Sequence, residues 1–504
     1  MTNALLIFNA RLLDENIDTP GCILSVGGKI RAVFQGYFTD SKTAENLANS
    51  VLQEDGLIQN TRLETFDAHG LTVTPSFIDM HVHFRDPGLT QKEDLNSGLH
   101  AAVAGGYGTV VAMPNTNPVI SSYEAAKDVM ERGAALGLAN IFQSVSITAG
   151  FEGKDITHLE NLNREEIPLI TEDGHEVASS AVMYNAMKIA GEKNIIVSCH
   201  CEDPDLAAAA RPHRQHALEI MEKWHLPAWG GTQTDMSHIP QEVISEIDTS
   251  LTEANQLLMM AEDICTERNI QLARQAGCHV HMCHVSTAGA IQAIRRAKEE
   301  LSDKSADFYT DMADAAYEAT EEGRRFQPIP AVEHGFSVTC EVTPHHIALC
   351  GTEEPDIRAL VNPPLRSEED RLFIIDAIRN GTVDCIATDH APHTLEDKAK
   401  GAPGFTGIES SYGVCNTVLV KEGQISARRL SQLMSANPAR ILHLNKGLLK
   451  PGYDTDLTLV NPDEQWVVDS RLFCSKGKAT PFEGRTLTGK VKAVIISGRK
   501  IFES

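Results

Sequence analysis

Several short apolar runs of this 504-residue chain end in side chains that can bind metal ions. His81 and His83 close the first run, and because residues two apart on a strand point the same way, both imidazoles can bind one ion. Later runs end at Asp173 in LITEDG, His200 in IIVSCHCED, His284 in HVHMCHVST and Asp389 in CIATDHAPH. Imidazole and carboxylate ligands suit Zn²⁺, and a site that keeps an open coordination position is catalytic rather than structural.

Such a site predicts a hydrolase. A metal ion lowers the pKa of coordinated water from 15.7 to about 7, so hydroxide is available at neutral pH, and the ion also polarises a carbonyl group. A second ion would share a bridging carboxylate, for which Asp173 is the candidate. Alternatively, these residues are strand-end hydrogen-bonding groups and helix caps, which suits Asp173 before Gly174 but leaves the four histidines unexplained.

A second set of residues at the same positions has the chemistry of an anion clamp. Arg85 in HFRDPG, Asn115 in MPNTNP, Asn362 in VNPPLR and His393 in TDHAPH provide guanidinium, amide and imidazole donors. These groups can orient a planar carboxylate through charge-assisted hydrogen bonds. Two alternatives stay open, because Arg85 can pair with Asp86 or a carboxylate on a neighbouring loop, and Asn362 can be a turn residue before Pro363.

The elements that position these residues alternate, from Ala68 onward, between apolar runs and helical stretches, which is typical of βα units. The runs interpreted as strands are Phe77–Val82, Thr109–Met113, Ile141–Ile147, Pro168–Thr171, Ile195–Ser198, His279–Cys283, Phe336–Val342 and Val383–Thr388. They predict an α/β fold of the (β/α)₈ TIM-barrel type. Barrel active sites lie at the C-terminal ends of the strands, where the candidate residues fall.

The two ends of the chain have a different pattern. Residues 1–70 and 446–504 alternate apolar and polar positions with glycine turns, which favours antiparallel strands. We therefore expect a small β-sandwich domain formed from both segments, with residues 71–445 as the barrel. Three polar or charged stretches, residues 40–62, 203–250 and 299–330, are interpreted as surface insertions.

Composition excludes several classes of function. Lysine and arginine total 44 against 69 acidic residues, and the formal charge of −25 disfavours a nucleic-acid partner. A long apolar stretch and the layout of a signal peptide are both missing, so we expect a cytoplasmic protein that does not bind membranes. The 11 cysteines lack paired CxxC spacing and are expected to be reduced, without a metal role.

The motifs resemble those of the amidohydrolase superfamily, and more closely those of its class I dihydroorotases. The similarity runs from about residue 60 to the C-terminus and is narrowest in HVHFRDPG, MPNT, NPPLR and TDHAPH. It implies reversible cyclisation of N-carbamoyl-L-aspartate to (S)-dihydroorotate and water in pyrimidine biosynthesis, with Asp389 as the general acid and base. It also implies zinc, one or two ions per chain with two bridged by Asp173 preferred, and an association as a homodimer, with aspartate carbamoyltransferase as a further partner.

The resemblance assigns the residues as follows. The implied metal ligands are His81, His83, Asp173, His200, His284 and Asp389. The implied substrate contacts are His83, Arg85, Asn115, Asn362, His393, Pro403 and Gly404.

The sequence departs from the usual pattern of the family in two features. The insertions at 203–250 and 299–330 look longer than the usual loops of the family. Asp173 stands where allantoinases, hydantoinases and the other dihydroorotase class use a carboxylated lysine, and residues 155–187 contain no lysine.

Two alternative functions stay open. The first is another cyclic amidohydrolase such as an allantoinase, which should lack the carboxylate clamp. The second is a non-catalytic scaffold for aspartate carbamoyltransferase, which should have lost metal ligands.

Overall fold

The structure, a computed structural model, describes residues 2–224, 238–305, 335–351 and 360–504. In chain order the strands are β1 Thr2–Leu13, β2 Asp18–Val26, β3 Lys29–Gln35, β4 Thr61–Asp67, β5 Thr72–Pro75, β6 Phe77–Val82, β7 Tyr107–Ala112, β8 Asn140–Gln143, β9 Val145–Ser146, β10 Leu169–Thr171, β11 Ile196–Cys199, β12 His279–Met282, β13 Ser337–Val342, β14 Cys385–Ile386, β15 Leu457–Val467, β16 Thr486–Ile496 and β17 Arg499–Glu503.

The α-helices are α1 Ser41–Glu54, α2 Leu95–Ala104, α3 Tyr123–Ala135, α4 Ser180–Lys193, α5 Pro204–Lys223, α6 Gln241–Ala276, α7 Ala288–Ser305, α8 Pro344–Ala348, α9 Glu368–Asn380, α10 Leu395–Ala399, α11 Ser411–Cys415, α12 Ala427–Ser431 and α13 Asn437–Ile441. Short 3₁₀ segments lie at Ile58–Asn60, Ala149–Phe151, Thr157–Asn161 and Ser470–Leu472, and π-helical turns at Asn416–Lys421 and Gln432–Ala436.

The strands β6 to β14 pair in parallel and form the barrel. β6, β7 and β8 make one sheet and β9 to β14 the other, in sequence order. A parallel bridge between Val82 and His390 joins β6 to the segment after β14. The predicted (β/α)₈ barrel is thereby confirmed, and its third strand is interrupted at Ser144 between β8 and β9.

Most of the barrel strands are fully buried, which explains why they appear in the sequence as continuous apolar runs. Every residue of β6, β7, β10, β11 and β13 is buried. Parallel strands covered on both faces have this property, whereas half-exposed strands alternate. The C-terminal ends of these strands therefore lie together at one rim of the barrel.

The two ends of the chain share one mixed sheet. Its strand order is β17-β16-β15-β5-β1-β2-β3, and β4 pairs with the first part of β1. The stretch 40–62, expected to be a surface insertion, contains the amphipathic helix α1 and the start of β4. Ala44, Ala48 and Leu52 of α1 are buried against Leu6 and Leu24 of the sheet, so this stretch covers the sheet on one face.

The stretch 203–250 contains α5 and the first ten residues of α6, a helix of 36 residues that leads into β12. Residues 225–237 lie outside the described part of the chain, as does most of the stretch 299–330, of which only the end of α7 is described. Among the described helices, none is both long and apolar enough to cross a membrane.

Candidate metal centre and substrate site

The predicted ligands converge at the C-terminal rim of the barrel, and all of them are at least nine-tenths buried. His81 lies in β6 and His83 directly after it, while Asp389 follows β14. The Nε2 atom of His83 is 3.1 Å from Asp389 Oδ1, and His81 Nε2 is 3.7 Å from the same oxygen. One group of metal-competent atoms is therefore His81, His83 and Asp389.

Asp173 connects this group to the remaining histidines. Its Oδ1 atom lies 3.3 Å from His81 Nε2, 3.5 Å from His200 Nδ1 and 3.7 Å from His284 Nε2. Its Oδ2 atom lies 3.5 Å from His83 Nε2. Asp173 thus lies within reach of all four imidazoles, with three of them near Oδ1 and His83 near Oδ2, a central position that a bridging carboxylate could occupy.

The unsatisfied atoms of this cluster fit a cation. His81 Nε2 and Asp173 Oδ1 are buried and have no hydrogen-bond partner within the described part of the chain. Buried polar atoms are normally hydrogen-bonded, and an orphaned pair that converges on one point calls for a ligand. Imidazole nitrogens and carboxylate oxygens are a donor set that Zn²⁺ accepts, so the residues present fit the metal that the sequence predicts.

A carboxylate that the sequence analysis did not single out orients the cluster from inside the barrel. Glu341 of β13 accepts from His81 Nδ1 at 2.8 Å and from His281 Nε2 at 3.1 Å. It also accepts the backbone N–H of His284 at 3.2 Å. Because Glu341 engages Nδ1 of His81, the other ring nitrogen is left to face Asp173, as in other carboxylate–histidine–metal arrangements.

Asn115, a predicted substrate contact, also contacts two of the predicted metal ligands. Its Oδ1 atom lies 2.9 Å from His83 Nδ1, and its Nδ2 donates to Asp173 Oδ2 at 3.2 Å. A His83 that donates from Nδ1 to Asn115 keeps Nε2 free for an ion. Asn115 is half-buried, so it also borders the open side of the site.

Arg85 and His393 lie together beside the ligands. Arg85 Nη2 donates to His393 Nε2 at 3.2 Å, and Arg85 Nε donates to the carbonyl of Pro392 at 3.4 Å. Lys92, which the sequence analysis missed, lies 3.5 Å from His393 Nδ1 and forms an ion pair with Asp397 at 3.4 Å. The pairing of Arg85 with Asp86 is not seen, because Asp86 pairs with Arg132.

Of the other predicted substrate contacts, Asn362 lies beside His200 and Gly404 beside His393. Asn362 Nδ2 is 3.5 Å from His200 Nε2 and donates to Glu202 in a short hydrogen bond. Gly404 is buried, and a Cβ added there would lie 2.7 Å from the Cβ of Ala391 and 3.5 Å from His393. Pro403 is exposed.

The electrostatics set the charge of each group. Burial raises the pKa of Asp173 and Asp389, but the neighbouring histidines outweigh it and hold both below their usual range. Burial lowers the pKa of Arg85 to about 10, which leaves it charged at neutral pH. Burial, together with Arg85 and Lys92, lowers the pKa of His393 to about 2, so this imidazole is neutral.

Backbone strain is concentrated at the same rim. Arg85, His284 and Asp389 have positive φ angles of 59°, 31° and 49°. Residues other than glycine adopt this region at an energetic cost, and such residues cluster at functional sites. Strain at these three residues is therefore typical of a functional site, where the direction of a side chain matters more than the stability of the local backbone.

Comparison with known proteins connects this geometry to a family. Residues 72–501 match the sequence model of the amidohydrolase family. A dihydroorotase of Clostridium botulinum (strain Eklund 17B / Type B) is 38% identical over 496 residues, which cover 98% of this chain and 98% of the relative. A dihydroorotase of Caldanaerobacter subterraneus subsp. tengcongensis is 34% identical over 441 residues, 86% of each chain. L-Hydantoinase (dihydropyrimidinase) from Arthrobacter aurescens has a similar fold, with a TM-score of 0.73 and 21% identity over 100% of this chain and 96% of the other.

Proposed function

The chain belongs to the amidohydrolase family and within it to the dihydroorotases, and we propose that it catalyses the reversible ring closure of N-carbamoyl-L-aspartate to (S)-dihydroorotate and water. The observation that carries this assignment is the position of the pair Arg85 and His393 directly beside the ligand cluster. His83 and Arg85 are two residues apart on one loop, and Asp389 and His393 are four apart on another. A substrate whose carboxylate is held by this pair would have its ring next to Asp389.

Each residue has a defined task in ring opening. Arg85, charged in its buried position, and the neutral His393 bind and orient the carboxylate. When bound, zinc supplies Lewis acidity at the scissile carbonyl and lowers the pKa of water. Asp389 accepts a proton from the attacking water and returns it to the departing ring nitrogen, acting as base and then as acid. In ring closure, Asp389 takes the ureido proton as the nitrogen attacks the side-chain carboxylate and returns it to the departing oxygen, which leaves as hydroxide and becomes water with a proton from solvent.

The metal centre is proposed to hold two zinc ions bridged by Asp173, the preferred reading of the resemblance to class I dihydroorotases. His81, His83 and Asp389 would bind one ion, and His200 and His284 the other. The support is the central position of Asp173, whose carboxylate lies 3.3 to 3.7 Å from all four imidazoles. Aspartate supplies this carboxylate without carboxylation of a lysine.

A substrate panel tests the assignment against its rivals. We expect purified protein to hydrolyse dihydroorotate with a kcat/KM at least about 100-fold above that for allantoin or dihydrouracil, which lack the carboxylate. Equal or better turnover of allantoin would overturn the assignment. No turnover of any of them by metal-replete protein would instead favour the non-catalytic scaffold.

We propose a cytoplasmic homodimer, with aspartate carbamoyltransferase as a further partner. Sedimentation of the purified chain, alone and mixed with that enzyme, tests both associations. A monomer at every concentration would contradict the dimer.

A further inference from the structure

One face of helix α5 lies against the two loops that carry Asn362 and Gly404. Arg214 and Leu218 are four residues apart on α5 and therefore share a face of the helix. Arg214 contacts the loop of Asn362, and Leu218 contacts the loop of Gly404. α5 belongs to the stretch 203–250, which the sequence suggests is a surface insertion.

Arg214 holds the Asn362 loop through two groups. Its Nη2 atom donates to the carbonyl of Val361 at 2.8 Å, and its Nη1 atom donates to Asn362 Oδ1 at 3.5 Å. The amide nitrogen of Asn362 then donates to Glu202, whose carboxylate is 3.5 Å from His200 Nε2. Arg214 thus fixes which end of the Asn362 amide faces the ligand His200.

Leu218 determines the course of the second loop. A Cβ added to Gly401 would lie only 2.4 Å from Leu218 Cδ1, and Gly401 has a φ of +82°. Leu218 is itself packed with Ala217, Met221, Ile239 and Ile247 between α5 and α6. The loop therefore passes directly over the helix, at a position where the structure admits only glycine without rearrangement.

The two loops are also bonded to each other. The buried ammonium group of Lys398 donates to the carbonyl of Leu360 at 3.2 Å and to those of Ala402 and Gly404 at 2.7 and 2.6 Å. The N–H of Gly404 donates to the Leu360 carbonyl at 3.0 Å. A displacement of one loop is therefore transmitted to the other.

We propose that α5 forms a wall of the substrate pocket, with Arg214 as the positioning residue for Asn362 and, through the bonded loops, for Gly404. This inference rests on the proposed function, because it treats both loops as substrate-binding. Arg214 acts through Asn362 and does not need to touch the substrate. The inserted helix then contributes to substrate affinity, while the metal ligands keep their own supports on the barrel strands.

The test compares Arg214→Met with Arg211→Met, which removes an exposed arginine from the same helix. In the substrate-free enzyme we expect Arg214→Met to speed hydrogen exchange at the amides of Val361, Asn362 and Gly404 by about fivefold or more, and Arg211→Met to leave it unchanged. With dihydroorotate we expect KM to rise about tenfold with kcat within about twofold, at unchanged zinc content and melting temperature. Arg214→Lys, which keeps one donor for Val361, should recover part of the affinity.

Three results would overturn the proposal. Arg214→Met could match Arg211→Met in both exchange and KM. Exchange could rise throughout the barrel with a lower melting temperature, which would indicate a purely structural role. A fall in kcat with loss of zinc would place Arg214 in support of the metal centre. If the wild-type enzyme does not turn over dihydroorotate, the proposed function fails, while the exchange measurement still decides whether Arg214 positions the loops.

Discussion

Arg85→Met tests the carboxylate clamp directly. Arg85 is only 9% exposed, and its Nε and one terminal nitrogen are engaged by Pro392 and His393. The remaining N–H groups are available to a carboxylate. Each hydrogen bond to a charged group contributes about 1.5 to 3 kcal/mol, so losing two in a buried site should remove about 3 to 6 kcal/mol of transition-state stabilisation. This corresponds to a decrease of roughly 100- to 10,000-fold in kcat/KM.

The assay compares dihydroorotate with dihydrouracil, which lacks the carboxylate. Arg85→Met should depress kcat/KM for dihydroorotate and leave the poor activity on dihydrouracil unchanged, with zinc content intact. The matched control is Arg132→Met. Arg132 is exposed and pairs with Asp86, the residue that follows Arg85, so its replacement should leave both activities near wild type. Equal losses on the two substrates would show that Arg85 is structural and would refute the clamp.

The remaining predictions concern the metal centre. Asp389→Asn should keep most of the bound metal but lose turnover by orders of magnitude, because an amide can offer an oxygen ligand but cannot transfer a proton; a variant with more than about a tenth of wild-type kcat would remove Asp389 from that role. Glu341→Gln should weaken metal affinity by about 10- to 100-fold, measured by competition with a chelator, because His81 and His281 lose their charged acceptor; unchanged affinity would contradict the orienting role. Apoprotein should regain full activity with Zn²⁺ in buffer stripped of bicarbonate, and Asp173→Ala should lose activity together with at least one ion. A carbamate carbon signal on any lysine, lost with activity when carbon dioxide is removed, would show that the bridge is misassigned.

The candidate ligand cluster could be predicted from sequence because each candidate lies at the end of a strand or within a few residues after it. A (β/α)₈ barrel brings the C-terminal ends of its strands to one rim, so local position was enough to place His81, His200, His284 and Asp389 together. The interruption at Ser144 could not be foreseen, since the apolar residues of Ile141–Ile147 continue on both sides of it. In the structure β8 pairs with β7 and β9 pairs with β10, so the run is divided into two short strands.

The residues that sequence reasoning missed act through partners distant in the chain. Glu341 stands within β13, and its significance depends on His81, 260 residues away. Arg214 lies on a polar helix whose composition suggests a solvated surface, and its contact with Asn362 spans 148 residues. Lys92 offered a weak local signal, because it follows HVHFRDPG closely. Such contacts depend on how loops meet at the rim, which hydrophobic periodicity does not encode.

Stretch 40–62 has exposed residues but also packs on the mixed sheet, which the sequence analysis did not predict. Its polar and charged residues suggested an exposed insertion, but Ala44, Ala48 and Leu52 recur at four-residue spacing. That spacing produces one small apolar face on α1, which covers Leu6 and Leu24 of the mixed sheet. The high average polarity of the stretch concealed this apolar face, which a search for apolar residues at the period of an α-helix would have found.

The central claim is that His81, His83, Asp173, His200, His284 and Asp389 form a metal centre on which dihydroorotate hydrolysis depends. The most direct measurement titrates apoprotein with Zn²⁺ while turnover of dihydroorotate and bound metal are followed in the same samples. We predict no turnover in apoprotein and a rise that levels off at one to two zinc ions per chain. Full turnover by protein with less than about 0.1 metal ion per chain would contradict the account, as would metal-replete protein that leaves dihydroorotate intact.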